Sequence, residues 1–301
     1  MPNVSDNLRG ALLMVGAMCA FTVNDAFMKA VAVNVPLFQA ILLRGIGAIV
    51  CLTIMARLLG QLRFDLPRRD WGLILLRTGG EIGGTYFFLT ALVNMPLANV
   101  SAILQALPLA VSLAAALFLG EALGWRRLTA IVIGFAGVLL IIQPGGDAFN
   151  SYSLYALASV ACITLRDLAV RRMSRAVPSV LVALVAAVGV TCMGAVGSAL
   201  TPWVAFSATS ALQLAAATGC LIFGYIASVG AMRFGDIAYV APFRYTSLLV
   251  ALVLGVAVFG EWPNALALTG AGIVVATGLF TLYREAALGR ARRRMVPDRI
   301  R

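Results

Sequence analysis

Ten apolar runs, each long enough to cross a lipid bilayer, set the strongest constraint on what this chain can fold into. A membrane-spanning helix needs about 20 mostly apolar residues. Short polar connections separate the runs, which we place at residues 10–31, 36–56, 71–93, 97–120, 128–143, 153–170, 177–200, 210–232, 237–259 and 264–283. The sequence therefore predicts an all-α integral membrane protein with ten transmembrane helices.

The composition excludes an ordinary soluble enzyme. Of the 301 residues, 61% are hydrophobic and 12% are charged, whereas a soluble domain carries about 25% charged residues. The net charge of +11 raises the question of nucleic acid, but a nucleic-acid-binding protein places its basic residues on a wettable face. Here they lie between apolar runs. We therefore expect membrane lipids, and no nucleic acid, as partners.

The distribution of basic residues predicts the orientation of the chain. If the runs cross alternately and the N-terminus is inside, 18 of the 23 Lys and Arg residues lie on the inner side. The other five lie within the runs. Such an asymmetry follows the positive-inside rule, so the prediction is a multi-pass protein of a bacterial-type inner membrane with both termini in the cytoplasm.

The chain contains an internal repeat. Leu119-Gly120-Glu121 recurs as Phe259-Gly260-Glu261 at an offset of 140, and an offset of 142 aligns Asp25 with Asp167 and Lys29 with Arg171. Five spans separate each matched pair, and five is odd, so the second copy crosses the membrane in the opposite direction. We predict a first five-helix repeat over 1–147, an inverted second repeat over 148–289 and a basic cytoplasmic tail over 290–301. Inverted repeats are chiefly a feature of transporters.

Several short motifs resemble a known family when taken in order. They are Asn24-Asp25-Ala26-Phe27-Met28-Lys29, Arg44, Pro108, Leu119-Gly120-Glu121, Trp125-Arg126-Arg127, Gly134-Phe135-Ala136-Gly137-Val138, Ala241-Pro242-Phe243-Arg244-Tyr245 and Phe259-Gly260-Glu261. The chain resembles EamA-type members of the drug/metabolite transporter superfamily over about residues 8–285. The resemblance implies a ten-helix transporter with a central substrate cavity between the two repeats. Members include amino-acid exporters and uptake carriers for S-adenosylmethionine.

We therefore expect a secondary transporter that works by alternating access, with amino-acid efflux as the leading function. Uptake or exchange of S-adenosylmethionine or a related metabolite is the alternative, and a passive channel is a weaker one. The sequence has no P-loop, so an ion gradient, with proton coupling as one option, the substrate gradient or external partners must supply the energy. One chain is expected to suffice as the transport unit.

Charged residues inside the spans are the first candidates for function, because an unpaired charge in a bilayer is costly. Asp25 and Arg44 lie at similar depth near the outer face, and Asp167 and Arg244 near the inner face. We predict two ionic clusters that close alternately as gates. Static struts that hold the helices in register are the competing interpretation.

The third run carries an unusual polar segment. Arg77 and Glu81 are four residues apart and therefore share one helical face, where they can pair. Glu81 is a candidate to bind a proton or a substrate ammonium, and a permanent strut with Arg77 is the alternative. The nearby glycines form two small-xxx-small registers, 79/83 and 80/84, which favour close helix packing.

The remaining candidates for substrate binding are polar and aromatic. Besides Glu81, they are Asn24, Tyr86, Gln105, Tyr225 and Tyr245. An aromatic pocket with a few hydrogen-bond donors suits a zwitterionic or amphiphilic metabolite. The remaining charged groups are interpreted as structural: Glu121 and Glu261 as caps at the ends of spans, and Arg166 and Arg171 as reaching towards lipid headgroups.

The chemistry of an enzyme is missing from the sequence. The chain has no histidine, which excludes His-based metal sites and Ser-His or Cys-His catalysis. Its five cysteines all fall in apolar runs without the spacing of metal ligands. We therefore expect no metal, no cofactor and no enzymatic activity.

Overall fold

The computed structural model describes residues 4–61, 64–121, 124–145, 149–174, 176–205, 207–234 and 237–295, and within these ranges the chain forms helices and connections without a strand. The elements are α1 (Val4–Val31), α2 (Leu37–Leu58), α3 (Arg68–Asn94), α4 (Leu97–Leu104), α5 (Leu107–Leu119), α6 (Trp125–Ile142), α7 (Tyr152–Arg172), α8 (Ser179–Ala199), α9 (Ala208–Phe234), α10 (Ile237–Val240), a 3-10 helix (Ala241–Tyr245), α11 (Thr246–Phe259) and α12 (Ala265–Met295). The predicted all-α class is confirmed.

Ten crossings of the bundle account for these helices. Within the described ranges, nine segments are long and apolar enough to span a membrane, with α4 and α5 counted as one segment and the 3-10 helix counted with α11. The tenth crossing is α3, which is less apolar because it carries Arg77 and Glu81. The chain is a multi-pass membrane protein.

Two crossings are broken in the middle, and the breaks meet. Gln105 and Ala106 separate α4 from α5, and the 3-10 helix separates α10 from α11. Pro108 and Pro242 lie at these breaks, and a proline has no N–H to donate to the preceding helical turn. The side-chain amide of Gln105 donates to the Ser247 hydroxyl, with 2.7 Å between Nε2 and Oγ. Discontinuous helices of this kind build the binding sites of many transporters.

The most extensive helix–helix contacts join one half of the chain to the other. α1 packs on α9, α3 on α7, α2 on α8 and α6 on α12. In the repeat, α1 corresponds to α7 and α3 to α9, so exchanging the two halves turns the α1–α9 contact into the α3–α7 contact. The α2–α8 and α6–α12 contacts each join a helix to its own counterpart in the other half. This is the packing expected of an inverted repeat. The boundary between 147 and 148 stays a prediction, because Asp147 lies outside the described residues.

The ends of the bundle can be distinguished by the termini. We call the end where α1 begins and α12 ends the terminal face, and the opposite end the distal face. α5 ends at the terminal face with Gly120 at φ 67°, and α11 ends at the distal face with Gly260 at φ 64°. Glycine adopts this left-handed conformation at low cost. The two glycines are 140 residues apart, so each repeat ends a helix in the same way at opposite faces.

Candidate substrate cavity

A cavity of about 590 Å³ lies between the two halves of the bundle. Its wall is built from α1, α2 and α3 of the first half and from α7, α8 and α9 of the second. It extends from Arg44, Glu81 and Tyr225 near the middle of the bundle to Leu58 at the end of α2. Since α2 ends at the terminal face, the cavity opens towards that face. Its volume falls in the range of about 300–1,000 Å³ that suits small-molecule ligands.

A chain of ion pairs forms the polar part of the cavity wall. Glu81 forms ion pairs with two guanidinium groups, with 3.4 Å from its Oε2 to Arg77 Nη2 and 3.4 Å to Arg166 Nη1, and it accepts a hydrogen bond from Arg166. Arg166 also pairs with Asp167, with 2.9 Å between Nε and Oδ1. The predicted pair of Arg77 and Glu81 is present. Glu81 thereby links α3 to α7, and the network spans both repeats.

Close packing of α3 on α7 brings these charges together. A Cβ atom added at Gly80 would lie 2.8 Å from the carbonyl oxygen of Cys162 and 3.0 Å from Arg166 Cβ. A Cβ added at Gly79 would meet nothing within 4 Å. Only one of the two predicted glycine registers, the one that contains Gly80 and Gly84, therefore faces α7 with both of its members. The absence of a side chain at Gly80 allows Glu81 to reach Arg166.

Arg166 was expected to reach lipid headgroups, and that expectation is wrong. Its guanidinium lines the cavity and holds two carboxylates. The internal repeat could have indicated that Arg166 is part of the polar interior, because the offset of 142 aligns Asn24 and Asp25 with Arg166 and Asp167. In each pair the first residue donates to the carboxylate of the second, at 2.9 Å.

The predicted pair of Asp25 and Arg44 is bridged rather than direct. The Asn24 amide nitrogen donates to Asp25 Oδ1 at 2.9 Å, and Arg44 Nη1 donates to Asn24 Oδ1 at 3.3 Å. Asn24 is 3% exposed. Its side chain has both a donor and an acceptor, which allows it to lie between the carboxylate and the guanidinium. Asp25 and Arg44 still interact through their charges.

Asp167 and Arg244 likewise form no direct bond. The carboxylate of Asp167 instead accepts a hydrogen bond from the adjacent Arg166. Arg244 lies on the 3-10 helix, where it interacts with Asp167 through charge alone. In the described part of the chain, no carboxylate lies within 4.0 Å of the Arg244 guanidinium. A role of either charged group in gating stays a prediction.

Two of the predicted substrate-binding residues, Glu81 and Tyr225, line the cavity. The other four have different surroundings. Tyr86 stacks on Phe38 with 6.0 Å between ring centroids, Gln105 bonds to Ser247, Asn24 lies behind Arg44, and Tyr245 is buried. A part for these four in binding substrate stays a prediction.

An ion pair closes the distal face between the repeats. Lys29 at the end of α1 contacts Glu261 after α11, with 2.5 Å between Nζ and Oε1. The second oxygen of Glu261 accepts from the Leu97 amide at 2.8 Å, and Lys29 also donates to the Met95 carbonyl. The side chains of Lys29 and Glu261 are only 9% and 22% exposed. Glu261 therefore caps the start of α4 rather than the end of its own span, and both of its carboxylate oxygens bond to the other repeat.

The equivalent ion pair at the terminal face is more exposed to solvent. Arg171 Nη1 lies 3.0 Å from Glu121 Oε1, and these side chains are 40% and 44% exposed. Arg171 is equivalent to Lys29 at the offset of 142, and Glu121 to Glu261 at the offset of 140. We had expected Arg171 to contact lipid headgroups and Glu121 to cap a span, and neither expectation included this bond. Both offsets had placed the four residues at matching ends of the repeats.

These features define a class of membrane protein. Inverted halves that pack across each other, broken helices that meet in the middle and a charged cavity between the halves form the architecture of secondary transporters. Residues 8–143 match the EamA-like transporter family. The first half of the chain is thus similar to EamA-like transporters, in agreement with the resemblance found in the sequence.

Similar proteins extend this relationship. The S-adenosylmethionine uptake transporter of Rickettsia bellii is 24% identical over 192 residues, which cover 63% of this chain and 65% of that protein. The pseudopaline exporter of Pseudomonas aeruginosa is 25% identical over 91% of this chain and 96% of its own length. The riboflavin transporter of Vibrio cholerae is 27% identical over 95% and 97%. A solved crystal structure with 21% identity and a TM-score of 0.63 covers 96% of this chain and 100% of its own, and so shows the same fold.

Proposed function

We propose that this protein is a secondary transporter that moves small metabolites across a bacterial inner membrane by alternating access. The observation that carries the proposal is the charged cavity between the two halves, which opens towards the terminal face while Lys29 and Glu261 close the distal face. The family of its first domain and the names of its relatives support transport rather than catalysis.

The two matched ion pairs suggest how access alternates. Lys29–Glu261 joins the repeats at the distal face, and Arg171–Glu121 joins them at the terminal face. The buried distal pair holds the state described here, which is open at the terminal face. In the opposite state the distal pair separates and the terminal pair becomes buried. The charges of Asp25, Arg44, Arg77, Asp167 and Arg244 lie between these two ends and rearrange with the cavity.

The orientation follows the distribution of basic residues. The terminal face is cytoplasmic, since the predicted inner segments carry 18 of the 23 Lys and Arg residues. The state described here is then open to the cytoplasm and ready to load a solute for export. Amino-acid efflux is the leading function, and uptake or exchange of S-adenosylmethionine or a related metabolite is the alternative, which the name of the Rickettsia bellii relative supports.

A counterflow experiment tests the carrier mechanism. Proteoliposomes loaded with one unlabelled compound are supplied outside with the same compound in labelled form, using amino acids, S-adenosylmethionine and riboflavin in turn. A carrier accumulates label transiently because the unlabelled solute drives exchange, whereas a passive pore shows no trans-stimulation. Repeating the assay with and without a proton gradient tests proton coupling, for which Glu81 is the candidate group. Protein-free liposomes serve as the control.

A further inference from the structure

The charges that surround the cavity do not balance. The network contains four guanidinium groups and three carboxylates: Arg44, Arg77, Arg166 and Arg244 against Asp25, Glu81 and Asp167. One positive charge therefore lacks a fixed counter-charge. Because an uncompensated charge inside a membrane protein is costly, the network would be stabilised by one further negative charge.

Among the described residues, the contacts leave two guanidinium groups without a bonded carboxylate, Arg44 and Arg244, and only Arg44 faces the cavity. Glu81 is shared by Arg77 and Arg166, and Asp167 bonds to Arg166. Arg44 has a single side-chain acceptor, the Asn24 amide oxygen at 3.3 Å. Within the described residues, no carboxylate lies within 4.0 Å of its guanidinium. Arg44 also lines the cavity, whereas Arg244 is not part of that wall.

We infer that Arg44 binds a carboxylate of the transported solute. A guanidinium group presents paired N–H donors that match the two oxygens of a carboxylate, and one carboxylate supplies the missing charge. This inference rests on the proposed function only for the statement that the cavity is the transport site.

The other residues that line the cavity indicate the chemistry of the rest of the solute. Apart from Arg44 and the ion-paired Arg77, Glu81 and Arg166, the cavity is lined mainly by apolar side chains, among them Leu52, Met55 and Ile222, with the ring of Tyr225. The structure therefore points to a solute with one free carboxylate and an apolar or aromatic body that extends towards the terminal face. S-adenosylmethionine brings a sulfonium and an ammonium into a site with surplus positive charge, and riboflavin has no carboxylate. Both fit this wall less well than an apolar amino acid.

Binding to the full-length protein in detergent tests the inference without relying on transport. The probes are L-phenylalanine, N-acetyl-L-phenylalanine, which keeps the carboxylate and loses the ammonium, and L-phenylalanine amide, which keeps the ammonium and loses the carboxylate. We expect the two carboxylates to bind and the amide to bind at least about tenfold more weakly. Arg44→Gln should weaken carboxylate binding by at least about tenfold and Arg44→Lys by less. Arg126→Gln, which changes an exposed arginine outside the cavity, should have no effect.

Three results would overturn the site: equal binding of the amide and the acid, an unchanged Kd in a folded Arg44→Gln protein, or no binding of either carboxylate. The melting temperature of each variant without ligand shows whether it is folded, and Arg44→Lys provides a second variant if Arg44→Gln is not. Counterflow separates the two proposals. Carboxylate binding without counterflow refutes the carrier and leaves the site, whereas counterflow of the amide at the rate of the acid refutes the site and leaves the carrier.

Discussion

Removing the negative charge of Glu261 should open the distal face. Glu261→Gln preserves the shape of the side chain and leaves the Lys29 ammonium without a carboxylate. Loss of one partner of a fully buried ion pair costs about 3–5 kcal/mol. Because Glu261 is 22% exposed, we expect about 2 kcal/mol, all of it in the state in which the pair is formed. The ratio of distal-open to distal-closed molecules should then rise about 30-fold.

The equivalent change at the terminal face provides a matched control. Arg171 and Glu121 are 40% and 44% exposed, and an exposed ion pair contributes about 0–1 kcal/mol. Arg171→Gln therefore costs little in the state described here, but it breaks a pair that becomes buried in the distal-open state, so it should lower the same ratio rather than raise it. The two substitutions each break one of two matched bonds at opposite faces, so they should shift the ratio in opposite directions.

Cys51 lines the cavity and can report which face is open. In a protein that keeps Cys51 as its sole cysteine, with alanine at positions 19, 162, 192 and 220, a small membrane-impermeant thiosulfonate is added from the distal side of oriented vesicles. The background protein should react slowly and the Glu261→Gln protein up to about 30-fold faster. Unchanged distal labelling in Glu261→Gln, or an equal increase in Arg171→Gln, would refute a distal gate formed by Lys29 and Glu261.

Three further predictions concern the interior of the bundle. Glu81→Gln leaves two guanidinium groups without their shared carboxylate, so transport should fall at least about tenfold and its pH dependence should change; an unchanged pH profile would make Glu81 a structural group. Asp25→Asn or Arg244→Gln should reduce transport far more than membrane insertion, measured as rate per inserted molecule, and full activity in either would remove them from the gating mechanism. Gly80→Ala should destabilise the protein by about 1–3 kcal/mol in thermal unfolding, because α3 must move away from α7, whereas Gly79→Ala should not destabilise it; equal stability of the two would contradict the packing described here.

Much of the fold could be predicted from the sequence because the signals are local. Spans follow from runs of apolar residues. The breaks beside Pro108 and Pro242 were not predicted, although a proline cannot donate the helical hydrogen bond. The inverted packing follows from the repeat, since an odd number of spans separates the matched residues. Arg77 and Glu81 could be paired in advance because their spacing of four fixes their relation within one helix.

The candidate site was harder to predict because its bonds join different helices. Arg166 and Arg244 were both near Asp167 in depth, and only the rotation of each helix about its axis decides which of them reaches the carboxylate. Asn24 could be recognised as polar and buried, but its position between Asp25 and Arg44 depends on how α1 and α2 pack. Lys29, Arg171, Glu121 and Glu261 were aligned by the repeat, yet alignment within a repeat does not state that a residue of one copy bonds to a residue of the other.

The sequence by itself determined that this is a ten-span, twofold-repeated membrane protein with its charges concentrated in a few spans, because hydropathy, charge distribution and repeat offset are properties of a linear chain. The tertiary structure decided which face is open, which carboxylate each arginine holds and where one positive charge remains unmet. Those outcomes depend on distances of a few ångströms between helices far apart in sequence, where a bonded pair and an unpaired charge differ by several kcal/mol.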